Sequence, residues 1–269
     1  MMDILVTNDD GILAEGLLAL RRALEPLGRL WVVAPEQEQS AASHALTLHR
    51  PLRMRQISDR VFSVDGTPTD CVLLACRRVP ELSGADIQMV VSGINHGANL
   101  GDDVTYSGTV AAAIEGRMMG RVSVAFSMVD WRPGGFDPAA RVAQRIVAKL
   151  MAAGAPDGAL LNVNIPSVPD SPIRGFRVTR LGRRTYNDRI ESMADPRGRP
   201  YYWIGGDAPS WEEQPGSDFE AIDAGYVSIT PIHLDLTNYG SMDLLRRWGL
   251  EEEPPIAGTD RGRPENAFE

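Results

Sequence analysis

Asp3-Ile4-Leu5-Val6-Thr7-Asn8-Asp9-Asp10-Gly11 opens the chain with a short apolar run stopped by four turn formers. Ile4, Leu5, Val6 and Thr7 favour a pleated strand, and Asn8 through Gly11 end it. The strand is apolar throughout instead of alternating, which suits a strand covered on both faces. A helix follows, with Leu13, Leu17, Leu18, Leu20 and Leu24 on one face and Arg21, Arg22 and Glu25 off it. Pro26 and Gly28 close it. The alternation continues. Strands are expected at residues 30–34, 61–64, 89–92, 122–127 and 160–165, and helices at 109–119 and 138–153. Another helix opens at Thr67-Pro68, where proline in the first turn loses no needed N–H. Strand, helix, strand in this rhythm predicts βαβ units, hence an α/β fold with a mainly parallel sheet covered on both faces.

Beyond Pro166 the character changes. Residues 167–220 are rich in Pro, Gly, Arg, Asp, Tyr and Trp, with short strand-like pieces at 176–179 and 201–204, and read as an extended hairpin or arm outside the main sheet. A late strand at 226–232 and a short amphipathic helix at 241–248, N-capped by Ser241, follow. From Glu251 the chain reads as a solvated, disordered tail. The expected division is an α/β core at 1–166, an arm, strand and helix at 167–249, and a tail at 250–269.

The 269 residues carry a net charge of −9 with 43% hydrophobic side chains, enough for a real core. An acidic balance disfavours polymeric nucleic acid, which is held by a Lys/Arg surplus. No apolar run approaches the ~20 residues of a membrane span, and Met1-Met2-Asp3 lacks the basic start of a signal peptide. Cys71 and Cys76 are too few for a disulfide framework. On a helix, a five-residue offset sets them roughly 140° apart, so they read as reduced, buried thiols of a cytoplasmic protein.

In open α/β sheets, ligands bind beyond the carboxyl ends of the strands. Asn8-Asp9-Asp10-Gly11, then Pro35 through Ser40, then Gly93 through Asp103 occupy those ends and bring many oxygen donors. Adjacent carboxylates repel unless a cation lies between them. Asp9, Asp10, an Asn and a Ser from neighbouring loops would suit Mg²⁺ or Mn²⁺; equally, Asp9 or Asp10 could simply cap the next helix. Ser107-Gly108-Thr109 stands at the start of an Ala-rich helix, where amides, hydroxyls and the helix dipole suit a phosphate; equally, Ser107 or Thr109 could be an ordinary N-cap. Together the two loops suggest metal-assisted phosphoryl hydrolysis. The chain has no G-x-x-x-x-G-K-[ST], no G-x-G-x-x-G after a strand and no G-x-S-x-G elbow, and His44, His49, His96 and His233 lack zinc spacing.

These residues carry a resemblance. Val6-Thr7-Asn8-Asp9-Asp10-Gly11, Val33-Ala34-Pro35 with Gln39-Ser40-Ala41, Gly66-Thr67-Pro68-Thr69-Asp70-Cys71-Val72, Ser92-Gly93-Ile94-Asn95 running to Gly101-Asp102-Asp103-Val104-Thr105-Tyr106-Ser107-Gly108-Thr109, Leu161-Asn162-Val163-Asn164-Ile165-Pro166 and Gly225-Tyr226-Val227-Ser228-Ile229-Thr230-Pro231 resemble the SurE family of stationary-phase survival nucleotidases. The match reaches to about Trp248, with Gly216-Ser217-Asp218 standing where the family has Gly-Thr-Asp. The resemblance implies a Rossmann-like three-layer α/β/α core and a C-terminal part exchanged between subunits of a dimer or tetramer. It implies a metal-dependent hydrolase, a 5′-nucleotidase acting on nucleoside monophosphates, with 3′-nucleotides and short polyphosphate as further substrates. It implies one divalent metal per subunit, Mg²⁺ or Mn²⁺, held by Asp9, Asp10, Ser40 and Asn95. Ser107, Gly108 and Thr109 would contact phosphate, with Asn8 and Asn99 nearby.

Asp9 is then expected to orient or deprotonate the attacking water, and Asn8 to assist. Arg183, Arg184, Tyr186, Tyr201, Tyr202, Trp203 and Trp211 on the arm read as interface anchors or, alternatively, as a stacking platform for a nucleobase. Two rival functions use the same pocket: a non-catalytic nucleotide or metal sensor, and a general phosphatase for sugar phosphates or phosphoproteins.

Overall fold

β1 (Asp3–Thr7) is buried along its whole length, as an apolar central strand should be. The computed structural model describes residues 2–129, 135–155, 158–167, 173–185, 188–206, 210–249 and 251. After β1 come α1 (Glu15–Leu24), β2 (Arg29–Pro35), β3 (Met54–Ser58), β4 (Val61–Val64), α2 (Pro68–Ser83), β5 (Ile87–His96), α3 (Gly108–Met118), β6 (Val122–Met128), α4 (Asp137–Ala153) and β7 (Leu160–Ile165). The later elements are β8 (Phe176–Val178), β9 (Arg184–Thr185), β10 (Asp188–Ala194), β11 (Pro200–Gly206), β12 (Ser210–Trp211), α5 (Asp218–Asp223), β13 (Val227–Pro231) and α6 (Tyr239–Arg247).

Nine strands form one sheet in the order β3-β4-β2-β1-β5-β6-β7-β13-β8. It is parallel except where β3 meets β4 and where β13 meets β7. Leu17, Leu20 and Leu24 of α1 join Ala139, Ala143, Ile146 and Val147 of α4 over Ile4, Val6, Val91 and Phe126. On the other face Cys71, Val72, Ala75 and Val79 of α2 and Ala112 of α3 pack with Leu5, Val33, Val64 and Val90. Burial of side chains this size, at about 1.5–3 kcal/mol each, is what drives the layers together. The result is the three-layer α/β/α sandwich expected. Both cysteines are free and buried.

Local chemistry sets the helix starts. Thr67 Oγ1 accepts from Asp70 N at 3.1 Å while Asp70 Oδ2 accepts from Thr67 N at 2.9 Å, a reciprocal cap with Pro68 just inside. α1 packs closely on β5 because of Gly16: a Cβ there would stand 2.1 Å from the Ile94 carbonyl oxygen.

Several expectations need correction. Leu13 is 81% exposed, because α1 begins at Glu15 and Leu13 lies in the preceding turn, out of helical phase. β3 escaped the sequence reading, since only one residue of this exposed edge strand is even partly buried. Phe176–Val178 is not outside the main sheet. β13 runs antiparallel to β7 and offers its far edge, which β8 takes in parallel register. Residues 201–204 do lie in a separate hairpin, β10–β11. Asn238, not Ser241, caps α6: its side chain accepts from Ser241 N at 3.2 Å.

Two compact units divide the chain, Met1–Ile232 and His233–Glu269. Within the second, α6 has no buried residue, and Leu244, Leu245 and Trp248 are exposed. Most of the expected tail, residues 250 and 252–269, lies outside the described residues, as does Tyr186. No helix among the described residues is long and apolar enough to cross a membrane.

Candidate active site

Parallel strands deliver β1, β2 and β5 to one edge of the sheet, and their loops are stitched together there. Asn8 Nδ2 donates to the Gly11 carbonyl at 3.0 Å and closes the turn after β1. Ile12 N donates to the Pro35 carbonyl, and Gln39 N to the Asp9 carbonyl, both at 2.8 Å. His96 N donates to Asp10 Oδ2 at 3.4 Å, which brings the end of β5 to the same carboxylate. The helix-capping alternative for Asp9 and Asp10 does not hold: the N-cap of α1 is Ala14, with no side-chain cap bond.

Asp9 is 5% exposed. Thr109 Oγ1 donates to Asp9 Oδ1, and Gly108 lies directly against the same carboxylate. Burial pushes the Asp9 pKa up to about 6; the Thr109 bonds oppose this and the Asp10 charge adds to it. Asp10 is also raised, first by burial, while the His96 amide opposes and the Glu38 charge adds. Glu38, exposed on the loop after β2, is thus within electrostatic reach of Asp10. The sequence reading passed over it because no periodicity marks one acid in a loop. Ser40 is exposed on that loop, its hydroxyl donating to Glu38 Oε1 at 2.5 Å. Asn95 Nδ2 donates to the Gly97 carbonyl at 3.0 Å, so its Oδ1 is the acceptor left for a ligand.

The residues present fit a hard divalent cation. Among the described residues no Arg or Lys pairs with Asp9 or Asp10, and the buried Asn8 Oδ1 has no hydrogen-bond partner. No three His, Cys, Asp or Glu side chains among the described residues converge as a metal cluster. The donor set is instead mixed: carboxylates with amide and hydroxyl oxygens, which Mg²⁺ or Mn²⁺ accepts together with waters.

The phosphate turn of the sequence reading stands beside these acids. Ser107 is the N-cap of α3, its Oγ accepting from Val110 N at 3.1 Å. The hydroxyl proton remains available to donate, so capping and anion binding are compatible. Asn99 faces inward: its Nδ2 donates to Ser127 Oγ at 2.7 Å, and its backbone meets Asn162 and Asn164 of β7. These two buried amides were not singled out as site residues, although two Asn in an apolar strand were the visible sign.

Some of the arm residues are engaged within the chain. Arg184 Nη1 pairs with Asp103 Oδ1 at 2.7 Å, and Trp211 stacks on Phe219 with ring centroids 4.8 Å apart. Tyr201, Tyr202 and Trp203 remain exposed on β11.

Residues 4–188 match the family described as Survival protein SurE. A protein of Pelobacter propionicus named 5′-nucleotidase SurE is 50% identical over 248 residues, covering 92% of this chain and 99% of its own. A Geobacter sulfurreducens protein of the same name is 47% identical over 262 residues, covering 97% of this chain and 99% of its own. The crystal structure of the SurE protein from Aquifex aeolicus superposes with a TM-score of 0.81 at 45% identity, covering 92% of this chain and 99% of that one. With the family model matching residues 4–188 and relatives of about 50% identity covering more than nine-tenths of the chain, this chain belongs to the SurE family.

Proposed function

We propose that this chain is a metal-dependent phosphomonoesterase, a 5′-nucleotidase that hydrolyses nucleoside monophosphates to nucleoside and phosphate, with 3′-nucleotides and short polyphosphate as further substrates. The observation that carries the reading is the buried Asp9 carboxylate resting on the first turn of α3 beside Asp10, with no Arg or Lys among the described residues to neutralise either. The names of the relatives support the same activity. One divalent ion per subunit, Mg²⁺ or Mn²⁺, would be held by Asp9, Asp10, Ser40 and Asn95. When bound it would supply Lewis acidity toward a phosphoryl oxygen and lower the pKa of a water.

The chain's own groups do the rest. Thr109 N and Oγ1 are committed to Asp9, and Val110 N to Ser107 Oγ. The Gly108 amide, an end-of-helix donor with no partner four residues back, and the Ser107 hydroxyl proton are left for phosphoryl oxygens. The dipole of α3 adds positive potential there. Asp9 would orient the attacking water or take its proton as the new P–O bond forms and the bond to ribose breaks, with Asn8 beside it and Asn99 shaping the loop that flanks the substrate. The ribose alkoxide would leave with a proton from water.

The core at 1–166 would serve catalysis and residues 167–249 assembly. Exposed aromatics on β11 and α6 support a homodimer or homotetramer, and the buried free thiols suit a cytoplasmic protein. The net charge of −9 disfavours a polyanion held by surface charge, whereas a mononucleotide needs only this small site. Phosphate release from AMP, GMP, 3′-AMP, polyphosphate and a sugar phosphate, after chelation and with Mg²⁺ or Mn²⁺ restored, tests the reading. Binding without turnover would indicate a sensor, and turnover indifferent to the base a general phosphatase.

A further inference from the structure

The loop that follows Asn95 carries no regular structure from Gly97 to Leu100, yet it links the end of β5 to the turn at Ser107. Its backbone is held at several points. Gly97 N donates to the Met128 carbonyl at 3.0 Å. Gly101 N donates to Asp218 Oδ2 at 2.8 Å. Between them Asn99 is gripped by side chains alone. Asn164 Oδ1 accepts from Asn99 N at 2.8 Å while Asn164 Nδ2 donates to the Asn99 carbonyl at 2.9 Å. Asn162 Nδ2 donates to the same carbonyl at 2.7 Å. Asn162 and Asn164 are both fully buried.

An amide side chain bonded to both the N–H and the C=O of one residue takes the place of a neighbouring strand. It fixes φ and ψ of a loop residue with no sheet partner. The consequence reaches Asn95. The Gly97 carbonyl that orients the Asn95 amide lies two residues from the gripped position, and few free torsions separate them. Buried bonds of this kind also have little slack, because a buried donor left unsatisfied keeps its full desolvation penalty.

We infer that Asn164, assisted by Asn162, is a positioning residue for the metal site: its bidentate grip on Asn99 holds the Gly97–Leu100 segment so that the Asn95 amide presents Oδ1 beside Asp10. The inference rests on the proposed role of Asn95 as a metal ligand. Asn164→Asp is the sharp variant, since it keeps shape and the acceptor but sets a carboxylate oxygen against the Asn99 carbonyl. Asn162→Ala is the milder one, removing one of two donors to that carbonyl.

The experiment measures Mn²⁺ affinity of the metal-stripped protein by the loss of free-ion EPR signal, without substrate, alongside thermal unfolding. Asn164→Asp should weaken the Mn²⁺ Kd about 10–100-fold, the usual cost of disturbing a ligand's support, and its AMP turnover should recover at raised Mn²⁺. Asn162→Ala should shift the Kd in the same direction by less. Asp3→Asn, at the opposite edge of the sheet, should lower Tm and leave the Kd unchanged. A wild-type Mn²⁺ Kd in folded Asn164→Asp, or in Asn162→Ala should the first variant not fold, would overturn the inference. Asp10→Asn in the same titration separates the two levels: unaltered Mn²⁺ binding there would remove the metal site itself, and the positioning role with it.

Discussion

Gly108 lies against Asp9: a Cβ built on Gly108 would stand 2.8 Å from the Asp9 Cβ and 2.9 Å from its Oδ2. Neither side can yield cheaply. Asp9 is anchored by Thr109, and Gly108 is the first residue of α3. Gly108→Ala should therefore separate the carboxylate from the helix start. A displacement near 1 Å costs about 100-fold in rate, so kcat/KM toward AMP should fall by about that factor while the far-ultraviolet spectrum is kept.

Asp9 makes stability of the metal-free protein depend on pH in a defined sense. Its pKa is raised by burial to about 6. The contribution of such a group is fully present below the ordinary carboxylate value and lost as pH rises through about 6. A displacement from 3.8 to about 6 corresponds to roughly 3 kcal/mol. In chelator, Asp9→Asn should thus be more stable than the unsubstituted chain at pH 8 and no more stable at pH 4. Mn²⁺ should raise Tm at pH 8 only when Asp9 is present, and less so below pH 6, where the proton competes with the ion. Thermal scans of both proteins across pH, with and without Mn²⁺, read all of this.

Asp3 shows the opposite sign. Arg29, Trp31 Nε1 and Asp86 N all donate to its buried carboxylate, and the Arg29 bond holds its pKa below the usual range. That stability is present above the ordinary carboxylate value and lost as pH falls through the lowered one. Asp3→Ala removes every bond and leaves the buried Trp31 Nε1 unsatisfied, so it should cost about 1–3 kcal/mol. The urea midpoint at neutral pH measures the loss.

Tyr202 and Trp203 on β11 and Leu244, Leu245 and Trp248 around α6 expose apolar side chains of the kind found at interaction surfaces. Light scattering at micromolar concentration should give the mass of a dimer or tetramer, and Trp203→Ser with Trp248→Ser should shift it downward. A monomer mass for the unsubstituted chain would contradict the assembly proposed.

Much of the parallel core was legible because β1, β2, β5, β6 and β7 are apolar runs closed by turn formers, and burial acts on each of them in the same way. The meeting of Asp9 with the Ser107–Thr109 turn at one end of the sheet was legible because parallel strands bring their carboxyl ends together. What was hidden depended on partners distant in sequence. β3 as a strand, and the place of β8 in the main sheet, depend on the edge that a neighbour offers. Glu38 acts on Asp10 only through the loop geometry that puts its charge within reach, and Asn164 meets Asn99 from 65 residues away. A one-dimensional pattern carries no signal for such pairings beyond the oddity of polar residues in an apolar strand.

The central claim is that a divalent ion held at Asp9 and Asp10 is required to hydrolyse a nucleoside monophosphate. Phosphate release from AMP by the stripped protein, with EDTA and then with saturating Mn²⁺, tests it most directly when run beside Asp10→Asn. The account predicts release only with the ion, and a loss of about 100-fold or more in Asp10→Asn. Turnover that survives chelation, or Asp10→Asn working at near-unsubstituted rate with saturating Mn²⁺, would contradict it.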